Sequence, residues 1–176
     1  MATSADNQGD TSQPTEVLIR PANQSDRDAI WSILEPVIRA GETYAYDREW
    51  AKEDALAYWH GPDKECFVAQ SDGVTLGTYY LRRNADGGGS HTCNCGYMVA
   101  ENARGHGVAR KMCEHSLKKA DELGFTAMQF NFVVATNLGA IARWAKLGFE
   151  TVGRLPDAFD HPREGLVDAL VMSRKL

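Results

Sequence analysis

No run of apolar residues in this 176-residue chain approaches the roughly 18 needed to cross a bilayer. The opening MATSADNQGDTSQPTE has no hydrophobic segment, so nothing there reads as a signal peptide. A basic excess is also missing. Against 19 Lys and Arg stand 24 Asp and Glu, a formal charge of −5. That balance argues against a generic nucleic-acid surface, and any anionic ligand must be held by local cations against the net field. No G-x-x-x-x-G-K-[ST] is present, which excludes a Walker-type loop. No G-x-G-x-x-G is present either, which argues against a dinucleotide fold.

Cysteine is scarce, with Cys66, Cys93, Cys95 and Cys113 only. Cys93 and Cys95 form a C-x-C, but no second pair supplies further metal ligands and His91 alone lies nearby. Small buried packing residues are the better reading, and no metal site is expected. We expect reduced thiols and a cytoplasmic protein.

What is present reads as one α/β domain over residues 16–176, preceded by a polar tail, 1–15, expected to be disordered. EVLIRPA predicts a first strand. SDRDAIWSILEPVIRAG predicts a helix with Ser25 and Asp28 as a capping box, a kink or break at Pro36 and a stop at Gly41. ETYAYDREW reads as a loop and REWAKEDALAYWHG as a second helix. Two strands turn at Ser71-Asp72-Gly73, and HTCNCGYMVA is a fourth. A helix up to Gly124, a strand FTAMQFNFVVATN and a helix with Asn137 as N-cap follow. The chain ends in strands FETVGRLP and GLVDALVMSRKL around a loop DAFDHPRE. The order β-α-α-β-β-β-α-β-α-β-β implies a mixed, mostly antiparallel sheet with helices on both faces.

The most informative stretch is ENARGHGVARKM. A strand delivers the chain to a turn and the turn opens a helix. The helix start offers unpaired N–H groups and a partial positive charge. Gly105 and Gly107 admit a ligand close to the backbone, and Arg104 and Arg110 add charge. Such a place suits phosphate oxygens.

Arg104-Gly105-His106-Gly107-Val108-Ala109 resembles the [Q/R]-x-x-G-x-[G/A] signature of the Gcn5-related N-acetyltransferases, the GNAT family. Asn137, Ala140, Trp144, Lys146, Gly148 and Phe149 resemble its second signature, N-x-x-A-x-x-x-Y-x-K-x-G-F. The resemblance implies acetyl-CoA as co-substrate, its pyrophosphate on the amides from Arg104 to Ala109, with Asn137 also a cofactor contact. It implies a twisted sheet splayed between the fourth and fifth strands, with pantetheine against the edge of YMVA. A backbone N–H near a bulge, at Val99 or Met98, would meet the acetyl carbonyl. His106 fills a variable position of the motif and receives no catalytic role.

The sequence departs from the family where the usual tyrosine acid is Trp144. Indole N–H is too weak an acid for that task, but a thiolate can leave near neutral pH with modest help. The base is open among His91, Glu101 and the pair Asp160/His161. Asn94 and Asn131 interrupt apolar strands, where Asn is unfavourable. Either they satisfy buried backbone groups, or they hold the acceptor beside the thioester as catalytic and substrate-binding groups. With Asn137 they resemble the fungal azetidine-2-carboxylate acetyltransferases within the family, which would imply a small amino or imino acid acceptor. Tyr44, Tyr46, Phe159 and His161, in loops that flank the acceptor in the family, are further substrate-binding candidates.

The expected activity is direct acetyl transfer to a small-molecule amine, by a protein that binds neither nucleic acid nor membrane and that could form a homodimer. A protein lysine or N-terminal acetyltransferase and a non-catalytic acyl-CoA sensor are the rival readings.

Overall fold

The computed structural model describes residues 16–176; the tail 1–15 lies outside the described residues. The elements are β1 (Leu18–Pro21), α1 (Arg27–Ala40), α2 (Lys52–Trp59), β2 (Lys64–Ser71), β3 (Val74–Arg83) and β4 (Thr92–Val99). They continue as α3 (Val108–Glu122), β5 (Ala127–Val134), α4 (Leu138–Lys146), β6 (Glu150–His161) and β7 (Gly165–Lys175). One sheet has the order β1-β2-β3-β4-β5-β7-β6. Only β4 and β5 run parallel; the other neighbours are antiparallel. No helix among the described residues is long and apolar enough to cross a membrane.

Alternation along the strands builds two cores. Val68, Tyr80 and Met98 face α1 and α2, where Ile30, Ile33, Leu34 and Ile38 form the buried stripe of α1. Tyr79, Leu81, Cys95 and Met128 face the opposite way, toward α3 and Trp144 of α4. The cysteines are therefore packing residues, all free thiols, and the described residues contain no cluster suited to a metal ion.

Two local expectations are corrected, and at Pro36 the kink-or-break expectation loses its second alternative. The helix α1 runs through Pro36 without a break. Pro36 and Ser32 are both exposed, so the carbonyl that loses its donor lies on the solvent side, where water can serve it. The capping box sits two residues earlier than Ser25. Asn23 Oδ1 accepts from the Ser25 N–H at 2.8 Å, and the Asp26 carboxylate accepts from the Asn23 N–H at 2.8 Å. Most of DAFDHPRE is strand rather than loop, because β6 continues to His161. Pro156 and Asp157 read as a strand stop but are absorbed by a bulge between the pairs Leu155↔Ala169 and Phe159↔Val167. Asp157 adopts φ 48° there, and its N–H donates to Asp168 Oδ1 at 3.0 Å.

Other local readings hold. Gly41 ends α1 in the left-handed conformation at φ 62°. Asp72 and Gly73, both with positive φ, form the two-residue β2–β3 turn.

Candidate active site

The strands β4 and β5 pair at only two positions, Thr92↔Ala127 and Cys93↔Met128. Beyond them the strands part, β4 staying paired with β3 and β5 with β7. The open edge of β4 follows from ladder geometry. Ala100 donates its N–H to Leu76 O, on the β3 side. Tyr97 directs its N–H the other way, to the Tyr44 hydroxyl at 2.9 Å. Backbone groups alternate between edges, so the Val99 amide shares the open side with Tyr97, while that of Met98 faces β3. The β3–β4 register has no bulge from Gly77↔Val99 to Arg83↔Cys93, contrary to the expectation for β4. The bulge lies in β5 instead, at Asn131 and Phe132, between Phe130↔Met172 and Val133↔Leu170.

At the point of parting, Asn94 Nδ2 donates to Gln129 O at 2.8 Å, one residue beyond the last ladder pair. The amides continue across the fork. Gln129 Nε2 donates to Asn131 Oδ1 at 2.8 Å, and Asn131 Nδ2 donates to Asn84 Oδ1 at 2.7 Å. Two unfavourable strand asparagines thus belong to one hydrogen-bonded chain.

The turn after β4 is open to a ligand. The Arg104 N–H is bonded to Glu101 O at 3.2 Å, and the first helical bond of α3 runs from the Lys111 N–H to Gly107 O. Between them, the N–H groups from Gly105 to Arg110 have no acceptor among the described residues. Gly105 and Gly107 take φ 82° and 78°, and a Cβ at either would meet nothing within 4 Å. The space is therefore reserved by backbone conformation, not by neighbouring atoms.

Fork and turn belong to one cleft of about 930 Å³. Its lining includes Tyr44, Tyr46, Asn94, Met98, Val99, Arg104, Gly105, Gly107, Val108, Ala109, Asn131 and Asn137. His106 is not among the lining residues, and neither are Phe159 and His161. Those last two are buried behind the cleft wall, Phe159 with its ring 6.1 Å from that of Phe132. Asn137 Oδ1 caps α4 by accepting from the Ala140 N–H at 3.2 Å. Trp144 is 7% exposed and packs against Tyr97 and Phe130, with ring centroids 5.2 and 5.1 Å away. His91, Glu101 and Asp160 are exposed and lie outside the lining.

Sequence reasoning missed Arg82, Asn84, Gln129, Tyr58 and Tyr80. The run YYLRR reads as part of a strand, and alternation puts Arg82 on the same face as Tyr80 and inside the cleft. Five basic side chains line the cleft (Arg82, Arg104, Arg110, Arg143 and Lys146) against one acid, Glu42. Glu42 is itself paired with Arg163 at 2.7 Å. A chain of net charge −5 therefore has a locally cationic cleft.

Comparisons with known proteins agree with this geometry. The profile of the acetyltransferase (GNAT) family matches residues 28–149. The N-acetyltransferase aca1 of Schizosaccharomyces pombe is 30% identical over 151 residues, covering 76% of this chain and 72% of that protein. Among solved structures, a GCN5-related N-acetyltransferase from Kribbella flavida superposes with a TM-score of 0.86 at 41% identity. It covers 91% of this chain and 98% of that one. The yncA protein of Salmonella typhimurium, solved with its cofactor acetyl-CoA, shares the fold with a TM-score of 0.80. The identity is 21%, with 92% of this chain and 95% of that one covered.

Proposed function

Because the chain belongs to the acetyltransferase (GNAT) family and is an acyltransferase using acetyl-CoA, we propose that it transfers the acetyl group directly to the amine of a small molecule. The observation that carries this reading is the continuity of the unpaired amides at Gly105–Arg110 with the open edge of β4 in one cationic cleft.

The residues fit the co-substrate. Free N–H groups at the start of α3, with Arg104 beside them, would receive the pyrophosphate. The open-edge amide of Val99, or that of Tyr97 once Tyr44 releases it, would pair with the pantetheine arm and orient the acyl carbonyl. Asn137 Nδ2 is free of the cap and available to the same arm. The bound thioester supplies an activated acetyl carbon and a thiol leaving group. The chain itself contributes orientation, exclusion of water and donors.

Direct transfer is supported by the state of the thiols. Cys95 lines the cleft, but burial pushes its thiol well above the ordinary range. Burial likewise pushes Cys93 and Cys113 up to about 12 and Cys66 to about 11. None is an activated nucleophile for an acyl-enzyme. A small acceptor is supported by the aromatic wall over the pocket, where Tyr46 stacks on Tyr44 at 5.0 Å and on Trp50 at 5.2 Å. Four free thiols fit a reducing cytoplasmic setting.

The test is thiol release from acetyl-CoA with a panel of small amines, peptides as the comparison, and initial rates varied in both substrates. Intersecting double-reciprocal lines with a small amine are expected. Parallel lines would overturn direct transfer, and rates confined to peptides would overturn the small acceptor.

A further inference from the structure

The connection between α1 and α2 is stapled where it begins and where it ends. Arg39, in the last turn of α1, donates from Nη2 to Trp50 O at 2.9 Å and from Nη1 to Arg48 O. Arg48 Nε donates back to Arg39 O at 2.9 Å. The Arg48 side chain packs against Gly41, where a Cβ would lie 2.7 Å from Arg48 Cδ. Gly41 also takes φ 62°, so the close approach and the backbone both favour glycine there. Residues 42–46 bow out from this staple and line the cleft.

Two contacts carry the bow across the fork. At one, the Tyr44 hydroxyl holds both backbone groups of Tyr97, in β4. At the other, Glu42 Oε1 accepts from Arg163 Nη2 at 2.7 Å. Arg163 lies in the β6–β7 turn, and its N–H donates to His161 Nδ1 at 3.3 Å. The strand β4 and the β6–β7 hairpin belong to the two halves of the sheet that part beyond Cys93↔Met128. The bow therefore ties one half to the other over the opening. Tyr46, stacked between Tyr44 and Trp50, stiffens it, so a displacement at Tyr44 is passed to Glu42 two residues away. The Arg163 and Glu42 side chains are 73% and 35% exposed, so their pair is weak and readily parted.

From this arrangement we infer that residues 42–46 are an autoinhibitory strap, closed by Tyr44 on Tyr97 and by Glu42 on Arg163, which the incoming cofactor opens by taking the Tyr97 groups from Tyr44. The inference rests on the proposed placement of the pantetheine arm along the β4 edge. A ligand shifts such an equilibrium only by its differential affinity for the two states, and the coupling is reciprocal. Whatever weakens the closed strap therefore tightens the cofactor. Arg163 separates this device from simple electrostatics. It is a cation outside the cleft lining, and by charge alone its removal weakens binding of a polyanion such as CoA. Through the strap, its removal has the opposite sign, because the bow loses its hold on the far half of the sheet.

The experiment is a double-mutant cycle. CoA is titrated calorimetrically into wild type, Arg163→Gln, Tyr44→Phe and the double variant. Arg163→Gln should tighten CoA about two- to threefold, the scale of an exposed ion pair. In the Tyr44→Phe background the same substitution should change nothing further. Hydrogen exchange over residues 41–50 in the free protein reads closure without the cofactor, and it should be faster in each single variant than in wild type. Unchanged or weaker CoA binding in Arg163→Gln, or an equal gain in both backgrounds, would overturn the strap. Exchange that ignores Arg163→Gln would overturn it as well. A wild type that binds no CoA, yet whose exchange over 41–50 depends on Arg163, would overturn the cofactor site and leave the closure standing.

Discussion

The Tyr44 hydroxyl donates to the Tyr97 carbonyl at 2.7 Å and accepts from the Tyr97 N–H at 2.9 Å. A residue of the α1–α2 connection thus occupies both backbone groups that Tyr97 turns toward the fork. Burial raises the Tyr44 phenol above its ordinary value, so it remains neutral and able to donate throughout the physiological range. A pantetheine amide pairing at Tyr97 must take over from it.

Tyr44→Phe should therefore separate resting-state stability from bound-state stability. Returning the Tyr97 groups to water costs about 1 kcal/mol, or about 2–4 °C in melting temperature for a chain of this size. Saturating acetyl-CoA should erase the deficit, because the bound state no longer uses the hydroxyl. By linkage this corresponds to roughly fivefold tighter binding by the variant. Thermal melts with and without acetyl-CoA check it, and a deficit that persists at saturation would show that the cofactor does not compete with Tyr44.

Much of this site was legible because its signals are local. Glycines just ahead of an amphipathic helix report left-handed backbone, and Gly105 and Gly107 adopt it. The order of strands and helices follows from periodicity and turn residues, and it matches. What was hidden depends on register. Whether the open-edge amide belongs to Met98 or Val99 is decided by one residue of phase between β3 and β4. Arg82 entered the cleft for the same reason, through its pairing with Asn94. The family resemblance puts Phe159 and His161 in a loop, but the bulge after Leu155 carries them on as strand, outside the cleft lining.

At Gly107 two substitutions distinguish strain from charge. Its φ of 78° disfavours any side chain, but no atom lies within 4 Å of a Cβ built there. Gly107→Ala should cost about 1–2 kcal/mol of stability and keep measurable acetyl-CoA binding. Gly107→Glu carries the same backbone penalty and adds a negative charge beside the free amides, so binding should be lost. Calorimetric titration of both variants decides it. Equal affinities in the two would remove the phosphate from this turn.

The fork itself depends on Asn94, which is 7% exposed and donates to Gln129 O where the ladder ends. Asn94→Ala removes the donor and should cost about 1–3 kcal/mol. Asn94→Asp is nearly isosteric but presents a carboxylate oxygen to a carbonyl oxygen, so it should be the worse of the two near neutral pH. Melts at pH 7 and at pH 4 test the ranking. Protonation at the lower pH should restore a donor and narrow the gap between Asp and Asn. A variant Asp as stable as Asn at pH 7 would mean that the side-chain contact does not hold the strands together.

The acid limb of stability should be set in part by Asp26, at the foot of the helix that leads to Tyr44. Arg20 Nη1 and Nη2 each lie 2.7 Å from its carboxylate oxygens, and the Asn23 N–H adds a bond of 2.8 Å. The Arg20 guanidinium, more than the Asn23 amide, holds the Asp26 carboxyl below its ordinary value. An unfolded Asp titrates near 3.9, so the unfolded chain takes up the proton first as pH falls. The pair's stabilisation is fully present above about pH 5 and fades below about 4, through the lowered folded-state pKa. Asp26→Asn keeps the shape and removes the charge. Allowing for the partial exposure of Arg20, it should cost about 1–2 kcal/mol at pH 7. The melting-temperature gap between wild type and variant should then shrink steadily from pH 5 to pH 2.5. A gap that stays constant across that range would mean that the ionisation of the carboxylate contributes nothing to anchoring α1.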